Sequence, residues 1–331
     1  MLNFAFFGTD EFAVGVLEQL KNKNFLPSLI ITTPDKPKGR KLVLTPPPVK
    51  IWAENNKIKY LQPEKLKEFK LENNSENSFE IFVVASYGKI IPKNILDLPT
   101  FGTLNLHPSL LPKYRGPTPI QTAILNSDKE PETGISVMLV DEEVDHGPVL
   151  VAASCELGAM SFLKLREKLA KLGADLLAEV MPKWTAGEIE AQAQDHAQAT
   201  FTKKINKSAG EIILDEKNSE INYRKFLAYT PWPGIYFFDQ QNKRVKITAA
   251  SLENNVFVIK KVVPEGRPEM RWEDWERGLA RNYWTGTQVP EEAVAIRPID
   301  AEPAVARGIE HERHTAIWVT GTGTESPVLD V

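Results

Sequence analysis

Asn105 and His107 lie two positions apart in GTLNLHPSLLPKYRGPTP (102–119), and Asp145 follows in VDEEVDHGP (140–148). An amide, an imidazole and a carboxylate make a working set for acyl transfer to an amine. Attack on a carbonyl carbon puts negative charge on its oxygen, which Asn105 and His107 can hold through donated hydrogen bonds. The attacking ammonium must lose a proton, and Asp145, directly or through an ordered water, can take it. The amine is the nucleophile, so neither a reactive Ser or Cys nor a metal is required. Spacing alone leaves plainer roles open. A lone His on a strand can be a structural hydrogen-bonding residue, and an Asp beside Gly and Pro can simply form a turn.

The elements around these residues must bring them together. On a strand, Asn105 and His107 point to one face while Leu104 and Leu106 point into packing. Pro108 ends that strand, because it has no N–H for the ladder. Gly102–Leu106, Ile81–Ala85, Ile135–Val140 and the short runs Leu2–Phe7 and Pro27–Ile31 read as strands. Helical spacing is expected over 11–22, 47–55, 64–72, 117–126 and 161–181. Strands alternating with helices imply a mostly parallel α/β sheet covered on both faces, with its site at the strands' C-terminal ends. Gly8 follows the first strand, but no G-x-G-x-x-G is present, so a dinucleotide site is unsupported.

After about residue 184 the chain turns polar and Ala/Gln-rich (TAGEIEAQAQDHAQAT), as a linker does. From 206 to 278, alternating runs such as Ile235–Phe238, Val245–Ile247 and Val256–Ile259 imply a small, largely β domain, plausibly a barrel. All 28 Lys lie at or before Lys261, so the remaining 70 residues form a compositionally separate tail. The expected organisation is 1–190, a linker 191–205, a β domain 206–278 and an unassigned segment 279–331.

The net charge of −4 belongs entirely to the segment 279–331, which holds four Arg and eight acids. Within the neutral remainder, residues 36–50 carry Lys36, Lys38, Arg40, Lys41 and Lys50 with no acid, and 200–261 are net basic. Local basic zones of this kind suit a polyanion, although solvated surface Lys would look the same. With 42% apolar and 25% charged residues, the composition is that of a globular protein. No run of about eighteen apolar residues exists to span a bilayer. The start lacks a basic n-region, and Cys155 is the only cysteine, so neither an internal disulfide nor a Cys-rich metal site is expected. These features fit a reducing cytoplasm, and with no obvious interface in the sequence a monomer is expected.

NLHPSLLPKYRG and DEEVDHGPVL together resemble the signature of the N10-formyltetrahydrofolate-dependent formyltransferases, and the resemblance extends over roughly 1–278. It implies a Rossmann-like formyltransferase domain followed by a small OB-like β-barrel. It also implies Asn105, His107 and Asp145 as the catalytic residues and N10-formyltetrahydrofolate as cosubstrate. Folate contacts are implied from the backbone of Tyr87, Gly88, Lys89, Ile90, Ile91 and Pro92, and from Val140, Asp141, Glu142 and Glu143. Ser109, Leu110, Leu111 and Pro112 belong to the loop that the family places beside the active site, and the resemblance implies them as contacts to the tRNA substrate. The segment ITTPDKPKGRKLVLTPPPVK resembles the loop of members that act on tRNA, with Lys36, Lys38, Arg40 and Lys41 against the acceptor arm. TPWPG (230–234) looks like part of the C-terminal barrel. The implied reaction is formyl transfer to the α-amine of methionine on initiator tRNA. A sugar-nucleotide amine is the alternative acceptor, and a non-catalytic RNA-binding relative the alternative class. The sequence departs from the family at His146, where Thr or Ala is usual, at Gly116-Pro117-Thr118-Pro119, and in the tail.

Overall fold

The computed structural model describes residues 2–39, 41–71, 78–283, 315–318 and 329–330. Its contacts divide between Ile205 and Asn206 into two compact units.

The first unit begins with strand β1 (Phe4–Gly8), helix α1 (Glu11–Asn22) and strand β2 (Leu29–Ile31). Asp10 starts α1 by accepting the N–H groups of Phe12 and Ala13 on its side chain, a cap worth about 1 kcal/mol. A short antiparallel hairpin follows, β3 (Lys36–Lys38) with β4 (Val43–Thr45), and then helix α2 (Pro48–Asn56) and strand β5 (Tyr60–Leu61). The helix expected at 64–72 is absent: the described residues up to 71 make only turns, with Leu66 buried in the core and Phe69 and Leu71 packed against it. Strand β6 (Ile81–Ala85), the four-residue helix α3 (Lys93–Leu96), strand β7 (Thr103–His107) and helix α4 (Pro119–Leu125) come next. Strands β8 (Glu132–Leu139) and β9 (Val149–Glu156) lead into the long helix α5 (Phe162–Thr185).

These seven strands lie side by side in the order β9-β8-β7-β6-β1-β2-β5. The pairs from β7 to β5 are parallel, while β8 runs antiparallel to both β7 and β9. Strand β9 was not expected from the sequence; it lies in the Val/Ala run directly after the Asp145 turn. Buried Phe4, Phe6, Ile81, Leu104 and Leu106 give the continuous apolar character that sheets covered on both faces require. On one face α5 comes close because Gly173 has no side chain. A Cβ there would meet Leu106 and Ile135 at 2.6 Å, and that contact fixes which way β7 faces.

The stretch expected as a linker, 191–205, runs along this first unit. Gln192 bridges to Val149, and Phe201 bridges to Arg115.

The second unit carries helix α6 (Ser219–Tyr229) and a four-stranded antiparallel sheet: β10 (Ile235–Phe238), β11 (Arg244–Glu253), β12 (Val256–Pro264) and β13 (Met270–Arg271). Helix α7 (Trp272–Tyr283) follows, and its Trp272 and Trp275 pack edge-on against Phe237. Helix α6 was missed in the sequence because its polar residues blur the helical period. From the tail, β14 (Thr315–Trp318) pairs antiparallel with β9, and β15 (Leu329–Asp330) with β14. The rest of the lysine-free tail beyond 283 lies outside the described residues.

Candidate active site

Strand β7 delivers Asn105 and His107 on the face opposite α5, since Leu106 between them is spent against Gly173. His107 is buried, and its Nε2 lies 3.0 Å from the carbonyl oxygen of Tyr114. A carbonyl only accepts, so Nε2 carries the hydrogen and the other nitrogen, Nδ1, faces into the site. Asp145 Oδ1 is 3.4 Å from His107 Nδ1 and also 3.4 Å from Asn105 Nδ2. The three side chains expected from the sequence therefore meet at a single carboxylate oxygen.

Asp145 does not follow one of the parallel strands; its loop leaves β8, which runs antiparallel to β7. β8 ends at Leu139, level with Leu104 near the start of β7, and Val140 N–H bonds to the carbonyl of Thr103. The loop 140–148 must turn back across the face of β7 to bring Asp145 beside Asn105. Its two ends are stitched where Leu139 N–H donates to the carbonyl of Pro148. Asp145 adopts φ 51°, a left-handed backbone that costs a non-glycine residue about 1 kcal/mol or more. Its second oxygen, Oδ2, accepts the N–H of Gly116 at 2.7 Å. Gly116 has φ 105°, and a Cβ there would sit 2.9 Å from Thr202 Oγ1, so the loop geometry at that point requires glycine.

Sequence reasoning overlooked the residues that hold this arrangement. Arg115 is 3% exposed, and its guanidinium donates to Gln194 Oε1 and approaches His196 Nδ1 at 2.9 Å. Gln194 in turn donates to the carbonyls of Asp145 and Gly147. The departing residue His146 bonds through Nδ1 to Asp141 Oδ2 at 2.6 Å and stacks on His196 with ring centres 4.0 Å apart. An internal polar run with no period, AQAQDHAQAT, gave only the signal of a linker.

The expected folate loop, 87–92, follows β6, which is parallel to β7 with Val84 opposite Asn105. Both chains therefore exit on the same side of the site. Tyr87 is packed in the core against Phe7, and burial pushes its phenol up to about 12, so only its backbone is available. Thr9 Oγ1 bonds that backbone carbonyl. Gly88 and Ile90 are exposed, while the ammonium of Lys89 is used on the carbonyls of Pro63 and Glu64. In the second expected folate segment Val140 and Asp141 are half-buried, and Glu142 and Glu143 exposed.

Ser109, expected as a substrate contact, is wholly buried. Its hydroxyl donates to the carbonyl of Lys113, and its own carbonyl accepts from Ser136 Oγ. Ser109 is thus a brace of the loop, and Leu110, Leu111 and Pro112 are its half-buried outer part. Lys36, Lys38 and Lys41 are exposed on the β3–β4 hairpin with exposed Leu42, Val43 and Leu44. Arg40 lies outside the described residues. The feet of the hairpin are tied by Asp35, which bonds Lys50 Nζ at 2.8 Å and Gln62 Nε2 at 2.7 Å. Among the described residues, no group of three or more His, Cys, Asp or Glu side chains is arranged to hold a metal ion.

Residues 2–181 match the family model described as formyl transferase. A methionyl-tRNA formyltransferase of Chloroflexus aurantiacus is 41% identical over 256 residues, covering 76% of this chain and 82% of that protein. One of Halalkalibacterium halodurans is 34% identical over 312 residues, covering 86% and 98%. Among solved structures, the methionyl-tRNA formyltransferase of Clostridium thermocellum superposes with a TM-score of 0.52 at 17% identity, over 80% of this chain and 99% of that one.

Proposed function

This chain belongs to the formyl transferase family, and from that premise we propose that it transfers the formyl group of N10-formyltetrahydrofolate to the α-amine of methionyl-initiator tRNA. The observation that carries the chemistry is the convergence of Asn105 Nδ2 and His107 Nδ1 on Asp145 Oδ1, each at 3.4 Å. Both contacts are long: that of Asn105 is at the outer limit for a hydrogen bond, and that of Nδ1, which carries no hydrogen in the neutral ring, is an approach only, so both leave room for a reacting group or a water. The acceptor is assigned from the relatives, whose names specify methionyl-tRNA, and is supported by the exposed basic hairpin.

In this reading Asn105 donates through Nδ2 to the oxygen of the formyl group as the amine attacks. His107, with Nε2–H fixed on Tyr114, presents Nδ1 to the same region and donates once that nitrogen is protonated. Asp145, held by Gly116 N–H, receives one proton of the ammonium directly or through a water, and as the adduct collapses the formyl C–N10 bond breaks, N10 leaving with the second amine proton as tetrahydrofolate. The loops 87–92 and 140–143 supply backbone groups for the folate. Exposed Ile90 beside the open glycine Gly88 offers an apolar edge suited to a flat ring. Lys36, Lys38, Arg40 and Lys41 meet phosphates of the acceptor arm, and the second unit binds the body of the tRNA. Such contacts add affinity without reading sequence. The protein works as a monomer in the cytoplasm.

The test is formyl transfer from labelled N10-formyltetrahydrofolate with methionyl-initiator tRNA and an amino-sugar nucleotide offered in parallel. Label on the tRNA, lost in Asn105→Ala, is the expected result. Label on the sugar alone would reassign the acceptor, and label on neither would remove the catalytic reading.

A further inference from the structure

We propose that Gln194 is a positioning residue for this reaction: its side-chain amide holds the Asp145 loop in the one conformation that aims the carboxylate at Asn105 and His107. The proposal rests on the reading of Asp145 as proton acceptor. Gln194 is 8% exposed, and every hydrogen-bonding group of its amide is used. Nε2 donates to the carbonyl of Asp145 at 3.0 Å and to the carbonyl of Gly147 at 2.7 Å. Oε1 accepts from Arg115 Nε at 3.1 Å and from its terminal nitrogen at 2.6 Å. The orientation of the amide follows from these partners, since carbonyls only accept and a guanidinium only donates. A flipped amide would place oxygen on two carbonyls and nitrogen on a cation.

The partners close a ring. Arg115 holds Gln194, Gln194 holds the backbone of Asp145, and Gly116, next to Arg115, holds the carboxylate of the same Asp145. Both ends of the base are therefore fixed from one short stretch of chain. That stretch is itself anchored, with Arg115 N–H on the carbonyl of Thr200 and Thr202 N–H on the carbonyl of Arg115. The left-handed backbone of Asp145 needs such support, because its relaxation would swing the carboxylate off the face of β7. Gln194 itself is bonded to two backbone carbonyls and to a guanidinium, so its effect on the chemistry runs through Asp145.

The isosteric Gln194→Glu separates the two jobs of the side chain. It keeps the acceptors for Arg115 and strengthens that bond, but sets a carboxylate oxygen against the carbonyls of Asp145 and Gly147. Turnover would be measured per folate-binding site, counted with a stable folate analogue, so that unfolded protein does not enter the rate. The expected result is a kcat lower by roughly 10- to 100-fold, the range for a small misplacement of a reacting group. KM for both substrates should hold within about two-fold, and the acid limb of the kcat–pH profile should shift, as a merely structural role would not produce. Gln194→Met, which keeps the volume and removes all four bonds, serves if the Glu variant does not fold. Asp145→Asn is run alongside. Wild-type kcat and pH profile in the Gln194 variants, with Asp145→Asn inactive, overturn this proposal alone. Wild-type turnover in Asp145→Asn overturns the reading of Asp145 on which it stands.

Discussion

The Nε2 of His107 donates to the carbonyl oxygen of Tyr114 across 3.0 Å, and this one bond decides which nitrogen of the ring can work. Tyr114 lies in the NLHPSLLPKYRG loop with φ 58°, and its N–H is taken by Thr200 Oγ1 at 2.8 Å. Its carbonyl is thereby turned inward onto the imidazole. The neutral ring must carry its hydrogen on Nε2 and keep a lone pair on Nδ1, toward Asp145 and the reacting atoms. Nitrogen-15 correlation spectra of His107 at high pH should show the Nε2–H tautomer. An Nδ1–H pattern would contradict the bond and the orientation assigned to the ring.

Asn105→Ala should lower kcat by about 100- to 1,000-fold, or roughly 3 kcal/mol of barrier, the usual loss when one donor to a developing oxyanion is removed. Asn105 is half-buried on β7 and touches Asp145 at the outer limit of hydrogen bonding, so its removal should leave folding and the KM for folate nearly intact. Single-turnover kinetics with pre-bound substrates would report the chemical step directly. Retention of most of the wild-type rate would remove Asn105 from that role.

Asp10 gives a test of pH dependence away from the reacting residues. Burial raises its pKa above the ordinary carboxyl value of 3.8, against the bonds from Ser86 Oγ and from the N–H groups of Ala13 and Phe12, which lower it. The folded protein thus holds the proton more tightly than the unfolded chain does. Between 3.8 and the raised folded value, stability falls as pH rises, and above that value the penalty is complete. Asp10→Asn keeps an oxygen to cap α1 and escapes the penalty. It should melt above wild type at neutral pH, with the gap closing as the pH falls toward 3.8. Asp10→Ala loses the cap, about 1 kcal/mol, and should melt below Asp10→Asn throughout the range. Melting curves of the three proteins across pH decide it, and a gap that widens on acidification would reverse the sign assigned here.

The trio was legible because its neighbours were. Leu104 and Leu106 alternate with Asn105 and His107, and Pro108 marks the end of the strand, so the face and limit of β7 follow from residue types alone. The parallel core was readable for the same reason: IFVVA is apolar without a break. What the sequence hid was the route of Asp145. An antiparallel β8–β9 pair with a loop folded back over β7 depends on Gly147 meeting the backbone of Leu139 and on Gln194 reaching the loop from 49 residues away. Neither has a local period. Gln194 in particular sits among Ala and Gln, in a stretch whose composition matches a solvated linker, and only its four hydrogen bonds reveal that it is buried for a purpose.

The basic hairpin is the part of the reading that salt can test. Lys36 and Lys38 alternate with Pro37 on β3, so both ammonium groups leave the same face, and Lys41 follows near the turn. At the hairpin's feet, hydrogen bonds from Gln62 first and from Lys50 second lower the Asp35 carboxyl, and the bond to Asp35 raises the Lys50 ammonium. Lys50 is therefore engaged in anchoring, and Lys36, Lys38 and Lys41 remain as charges for phosphate. Each phosphate contact releases counterions and contributes about 0.7 to 0.9 to the slope of log affinity against log salt. Replacing all three lysines by Ala should raise the KM for tRNA and flatten that slope by roughly two to three, while kcat at saturating tRNA and the KM for folate stay unchanged. Lys50→Ala should instead leave the charge count at the hairpin's tip intact but loosen its base, raising the tRNA KM with little change in slope. Initial rates over a salt series separate the two variants: an unchanged slope in the triple variant would mean that the hairpin does not meet the phosphates, whatever else it does.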